Sequence, residues 1–165
     1  MSTDETTLLL SHLDGQRRHV LGILDGLDDA ALRRPVLPTG WYGLGLVRHL
    51  TLDVERFWFE AVLAGDPSAI AGLDEIDNAW QVPEEMPAAA VLDGYRRQIE
   101  RSNEVARATP IDARPAWWPG DQFGDFRLEN LRDLLLHVLT ETATHAGHLD
   151  AARELIDRRT WLILT

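Results

Sequence analysis

The chain has 165 residues, 45% of them hydrophobic and 26% charged, a profile that fits one globular domain spanning residues 1–165 and large enough to bury a core. Its net charge of -11, with no cluster of Lys or Arg, excludes nucleic acid and anionic membrane surfaces as expected partners. Cysteine is absent, which removes disulfides, thiolate metal sites and cysteine nucleophiles.

The N-terminus MSTDETTLLL is acidic and lacks the basic-then-apolar order of a signal peptide. No stretch approaches about 18 uninterrupted apolar residues, so no membrane span is expected, and the cytoplasm is the expected location. A first helix is predicted from about Asp4 to Leu27, where Leu9, Leu10, Leu13, Val20, Leu21 and Leu24 recur at helical spacing. DDAALRR reads as a short helical turn, and PVLPTG as a break. The second helix covers roughly Leu44 to Ala64 and stops at AGDP. Asp66 to Pro87 is acidic and irregular, a crossover loop with room for one turn. A third helix spans about Ala88 to Ala108, with Val91, Leu92, Tyr95, Ile99, Val105 and Ala106 along one side. TPIDARPAWWPGDQFGDF is a long aromatic loop, and loops of that length in compact domains tend to be functional. The fourth helix runs from about Leu131 to Arg158 with Asn130 as its N-cap. The tail WLILT is too short to assign. The predicted fold is all-α: a four-helix bundle with long crossover connections.

Two of the six histidines fall in ETATHAGHLD on the fourth helix. With Glu141 at 0° on a helical wheel, His145 lies at about +40°, His148 at about -20° and His137 at about -40°. The apolar Leu134, Val138, Leu149, Ala152 and Ile156 spread over about 20° to 80°, so the polar stripe overlaps the core-facing side. A carboxylate buried beside imidazoles is costly unless something pairs with them, and a divalent cation does so; this donor set suits zinc, nickel or iron. On the second helix, His49 neighbours the inward Leu46, Leu50 and Phe57, and Asp53 follows one turn on. If those helices face each other, His49 closes a site with Glu141 and His145, leaving positions open for water or substrate. The plainer readings stand beside this one. Glu141 and His145 also fit a surface helical pair, and His137 a hydrogen-bonded boundary residue. His12 and His19 read as boundary residues, and Asp53 as a ligand, a partner orienting His49, or a solvated side chain.

Other chemistries fail on spacing. A di-iron bundle needs Glu-x-x-His on two helices, and here the spacing is Glu-x-x-x-His on one. His-Glu-x-x-His, G-x-S-x-G, P-loop and Rossmann glycine patterns are all missing.

LPTGWYGLGLVRHLTLDVERFW, followed far downstream by LLLHVLTETATHAGHLDAARELID, resembles the DinB-like metalloenzyme superfamily. It is similar in particular to the actinobacterial branch labelled mini-circle proteins, and it is related to the mycothiol-dependent maleylpyruvate isomerases. The resemblance covers nearly the whole chain and implies a four-helix bundle with a divalent metal between the second and fourth helices. It implies His49 and His145 as ligands. It also implies Glu141, at a position that is histidine in many members and glutamate in the maleylpyruvate isomerases. His148 stands where many members have glutamine, and is assigned as a fourth ligand or a catalytic proton carrier. Members of known activity use low-molecular-weight thiols such as mycothiol. By that analogy the metal, zinc first and nickel or iron as alternatives, binds the thiol and presents a thiolate nucleophile. No counterpart of the separate C-terminal domain of the maleylpyruvate isomerases is present.

The expected function is therefore a metal-dependent, thiol-using transferase or isomerase acting on a small molecule. The alternative is a non-catalytic helical binding or stress-response protein whose metal is incidental or absent. Trp117, Trp118, Trp41 and Tyr42 are expected to wall the substrate pocket, or simply to pack loops onto the bundle ends. Of the consecutive Phe57, Trp58 and Phe59, at most two can face the core. The third is then expected under a loop or at a homodimer surface.

Overall fold

The computed structural model describes residues 4–162. Among them there are helices and no strands, as the periodicity predicts. In chain order these are α1 (Glu5–Leu24), α2 (Asp29–Leu32) and α3 (Gly43–His49), which continues into a π-helical segment (Leu50–Leu63). They are followed by α4 (Pro67–Ala71), α5 (Ala88–Ala108) and α6 (Leu131–Asp157). α1 packs along α6 and α5 along the π-helical segment, while α3 touches both α5 and α6. The four long helical stretches thus enclose one core, with the crossover 64–87 and the loop 109–130 as the long connections. No helix among the described residues is long and apolar enough to cross a membrane.

The helix ends follow local chemistry. The Asn130 side chain accepts the Asp133 N–H at the start of α6, and Asp66 accepts the N–H groups of Ser68 and Ala69 at the start of α4. Gly65 takes a positive φ of 63° and turns the chain out of the π-helical segment before Pro67 opens α4. Leu13, Val20, Leu46, Leu50, Phe59, Leu134 and Val138 are all closed to solvent, each contributing roughly 1.5–3 kcal/mol through burial. The first two residues of WLILT fold back, and the N–H groups of Trp161 and Leu162 donate to the buried Asp150 carboxylate. The last three lie outside the described residues.

Two features depart from expectation. The second helix is not α-helical beyond His49: the Ala64 N–H bonds back five residues to the Phe59 carbonyl, and Asp66 back to Glu60. A wheel drawn at 100° per residue loses its phase there, and Phe57, Trp58 and Phe59 are all buried. Phe59 lies in the interior with the Arg17 guanidinium 5.8 Å from its ring centre. Trp58 lies under the aromatic loop, in ring contact with Trp118, Phe123 and Phe126. The chain's own loop covers the aromatic surplus, so the argument for a homodimer falls away.

The second departure is a charged cluster in the core. Arg17 and Glu55, on α1 and the π-helical segment, form two bonds of 2.7 and 2.6 Å, with side chains 2% and 0% exposed. Asp14 and Asn103 accept the remaining guanidinium donor, which ties in α5. Burial and the Glu55 charge push the neighbouring Tyr95 phenol well above its ordinary pKa.

Candidate functional site

The crossover loop fixes the site from above. Arg48 donates to the Asn78 carbonyl at 2.7 Å, the Asn78 side chain accepts the Trp80 N–H at 2.9 Å, and the Tyr42 hydroxyl accepts the Val82 N–H at 2.9 Å. Gly45 completes the clamp, since the Trp80 carbonyl occupies the place where any side chain at 45 would begin. Held this way, the Trp80 indole stacks on the His49 imidazole, with ring centres 4.1 Å apart and planes 15° apart. The same indole meets His145 edge-on at 5.8 Å.

His49 ends α3 and His145 sits on α6, and their rings come within 5.1 Å of each other. Asp53 lies 2.8 Å from His49 Nδ1, so the carboxylate accepts a hydrogen bond from Nδ1–H and leaves the Nε2 lone pair free. His145 Nε2 is 3.4 Å from the Glu141 carboxylate, and its Nδ1 is buried with no partner. A separation of 3.4 Å is long for a hydrogen bond. Two donor atoms each about 2.1 Å from one tetrahedral ion stand about 3.4 Å apart, so these two atoms suit a shared ion. Burial, reinforced by His49, pushes the His145 pKa down to about 4, against the opposing pull of Glu141. His145 is therefore neutral at physiological pH, the state in which imidazole ligates.

By this test the donors fit a divalent ion in chemistry: one oriented histidine, a second neutral histidine through its Nε2, and one carboxylate. Their gathering is incomplete. Among the described residues, no three His, Asp or Glu side chains stand together in an arrangement that could hold a metal ion. His145 and Glu141 are paired, and His49 stands next to them. The inward stripe is also shallower than the wheel implies: the Glu141 side chain is 41% exposed and His148 is exposed. His148 lies 5.6 Å from the His145 ring and 6.4 Å from Trp41, on the far side of His145 from His137. His137 and His148 are separated by about 16 Å of helix rise and do not share a site. His137 instead faces Trp58 at 4.7 Å and Phe126 at 5.3 Å, half-buried, with its pKa lowered by that burial.

Next to the histidine pair a cavity of about 470 Å³ opens between the π-helical segment, α6 and the aromatic loop. His49, Asp53 and Glu141 border it, and Phe57, Trp58, Phe123 and Phe126 wall it. Trp41 and Tyr42 line a different, nearly filled hollow, and Trp117 and Trp118 an open cleft beside Arg114 and Arg127. The expectation that those four residues wall the main pocket is not met. Phe57 and Trp58 take that role because the wider winding turns them toward the loop. His12 is exposed and His19 accepts the Trp161 indole N–H, in line with boundary positions. Trp80 is the neighbour of His49 that the sequence concealed, sitting in a loop without periodicity.

Against known proteins, the family described as mycothiol-S-transferase matches residues 8–158. No curated protein and no solved structure matches the chain.

Proposed function

Because the chain belongs to the mycothiol-S-transferase family, we propose that it joins a mycothiol-type thiol to a small electrophile at a divalent metal held by His49, Glu141 and His145. The observation that carries this reading is the meeting of His49 and His145, from two helices, at 5.1 Å, with the Glu141 carboxylate 3.4 Å from His145 Nε2. A divalent ion there, with zinc as the first choice, supplies a Lewis acid that lowers the pKa of a bound thiol. The protein's own groups do the rest. Asp53 fixes the His49 tautomer and ring angle, Trp80 covers the His49 face against water, and Glu141 balances cationic charge beside His145. To His148, exposed and 5.6 Å from the His145 ring, we assign the transfer of the thiol proton to solvent, or a place as fourth ligand. The reading treats the helical bundle as a single catalytic domain working in the cytoplasm, where low-molecular-weight thiols are kept reduced.

The incomplete gathering of ligands favours a second reading, a helical binding protein without catalytic metal. Zinc, nickel and iron quantified on untagged wild type, His49→Ala and His145→Ala separate the two. Near-stoichiometric metal in wild type, lost in both variants, is expected. Substoichiometric metal after supplementation, unchanged in the variants, overturns the metal site. Cobalt-substituted protein titrated with mycothiol then tests thiol contact, and an unchanged visible spectrum overturns the transferase role.

A further inference from the structure

The cavity beside His49 and Glu141 has a chemical bias that bears on the second substrate. Its volume, about 470 Å³, suits one substituted ring system. The walls are aromatic: Trp58 and Phe123 are stacked at 5.5 Å, and Phe57 meets Trp58 edge-on at 4.8 Å. Such surfaces take flat apolar guests by stacking and edge contacts. The charges are of one sign. Asp53 and Glu141 are the charged residues that border the cavity, and no Lys or Arg lines it. The cation closest along the loop, Arg127, is engaged elsewhere. It lies 4.8 Å over Trp118, donates to the Phe126 and Gly120 carbonyls, and lines the separate cleft. In the metal-free protein an anionic guest would lose its hydration, find no guanidinium and face two carboxylates. Gln122 and His137 remain as hydrogen-bonding wall groups for a carbonyl or nitro substituent.

We propose that this cavity selects a neutral, flat, apolar electrophile and excludes carboxylate- or phosphate-bearing ones. The proposal rests on the transferase reading for the reaction, though not for the binding. In that reaction the thiolate sulfur bonds to the electrophilic carbon while the bond from that carbon to its leaving group breaks. The leaving group departs with the bonding pair, and the thiol proton goes to solvent.

Two unreactive probes of one shape test the selection without thiol: 4-nitrobenzyl alcohol and the anion 4-nitrobenzoate. Calorimetric titration of the metal-free full chain is expected to show the neutral probe binding at least tenfold more tightly. Gln122→Lys, which sets a cation in the wall, is expected to bring in 4-nitrobenzoate at least fivefold more tightly and so to narrow or reverse its deficit against the alcohol. Equal affinity of wild type for the two probes, or no binding of either, overturns the proposal. So does a Gln122→Lys variant, folded by circular dichroism, whose anion affinity does not rise. Binding that follows the expected pattern with no conjugation to mycothiol sinks the transferase reading and leaves the pocket's selectivity standing. Conjugation of anionic electrophiles as fast as neutral ones does the reverse.

Discussion

The Trp80 indole lies flat on the His49 imidazole, 4.1 Å away, although 31 positions of chain separate the two residues. The contact is made by a loop with no helical character, clamped through Asn78, Val82 and Gly45 onto α3. A histidine held on one face by an indole and at Nδ1 by Asp53 has little freedom left to lose if it ligates an ion, as proposed for His49. Trp80→Ala is therefore expected to weaken zinc binding about tenfold, with Trp80→Phe recovering most of it. Competition with a chromogenic chelator reads the affinity. A thermal melt of the metal-free variants shows whether the loss follows the site or the fold. Unchanged affinity in Trp80→Ala means the stack is only packing.

Asp53 reaches the same imidazole through its Nδ1. Asp53→Asn keeps the shape but removes the charge and allows the wrong tautomer. Zinc affinity is expected to fall 10- to 100-fold while the metal-free protein melts within a few degrees of wild type. An affinity unchanged from wild type argues that Asp53 is a solvated neighbour rather than an orienting one.

The Arg17–Glu55 pair is a liability if broken singly. With both side chains out of solvent, Arg17→Met leaves a buried carboxylate uncompensated, at a cost of about 3–5 kcal/mol in urea unfolding. The double variant Arg17→Met/Glu55→Leu removes both charges and is expected to recover much of that loss. A double variant as unstable as the single would show that the pair contributes net stability.

Acid should destabilise the metal-free protein through His145. Its folded pKa, about 4, lies below the ordinary 6.5, so the unfolded chain takes up the proton first as pH falls. The contribution is whole above pH 6.5, declines as pH drops toward about 4, and amounts to about 3 kcal/mol at most. Glu5 and Asp157, held below their ordinary pKa chiefly by hydrogen bonds from Arg132 and Arg153, act in the more acid range. Melting temperatures of chelator-treated wild type and His145→Gln between pH 7.5 and 4 check this. The variant should show the shallower decline, and parallel curves would count against it.

Local signals carried most of the architecture. Asn130 and the Gly65-Asp66-Pro67 turn mark helix ends through bonds made within a few residues, and the α5 bounds fall where the periodicity places them. The approach of His49 to His145 was legible because each lies on a helix with an apolar stripe, so only one pairing of helices had to be assumed. Arg17–Glu55 was invisible because its partners are 38 positions apart and each alone looks like a surface charge. Trp41, Tyr42, Trp117 and Trp118 stayed open between pocket wall and loop packing because aromatic residues in loops carry no directional information; they line other hollows. Phe57 and Trp58 were read with an α-helical period that does not hold there.

That wider winding places Glu55 and Phe59 on the core while Asp53, Phe57 and Trp58 of the same fourteen-residue segment face the cavity. Stability and substrate choice are thus written in alternating letters of one short word. An insertion or deletion of one residue between Leu50 and Leu63 would rotate both messages together, sending a charge toward the aromatic wall or a ring away from it. Substitutions on the loop side, at Gln122, Phe123 and Phe126, can reshape the cavity wall without disturbing that winding.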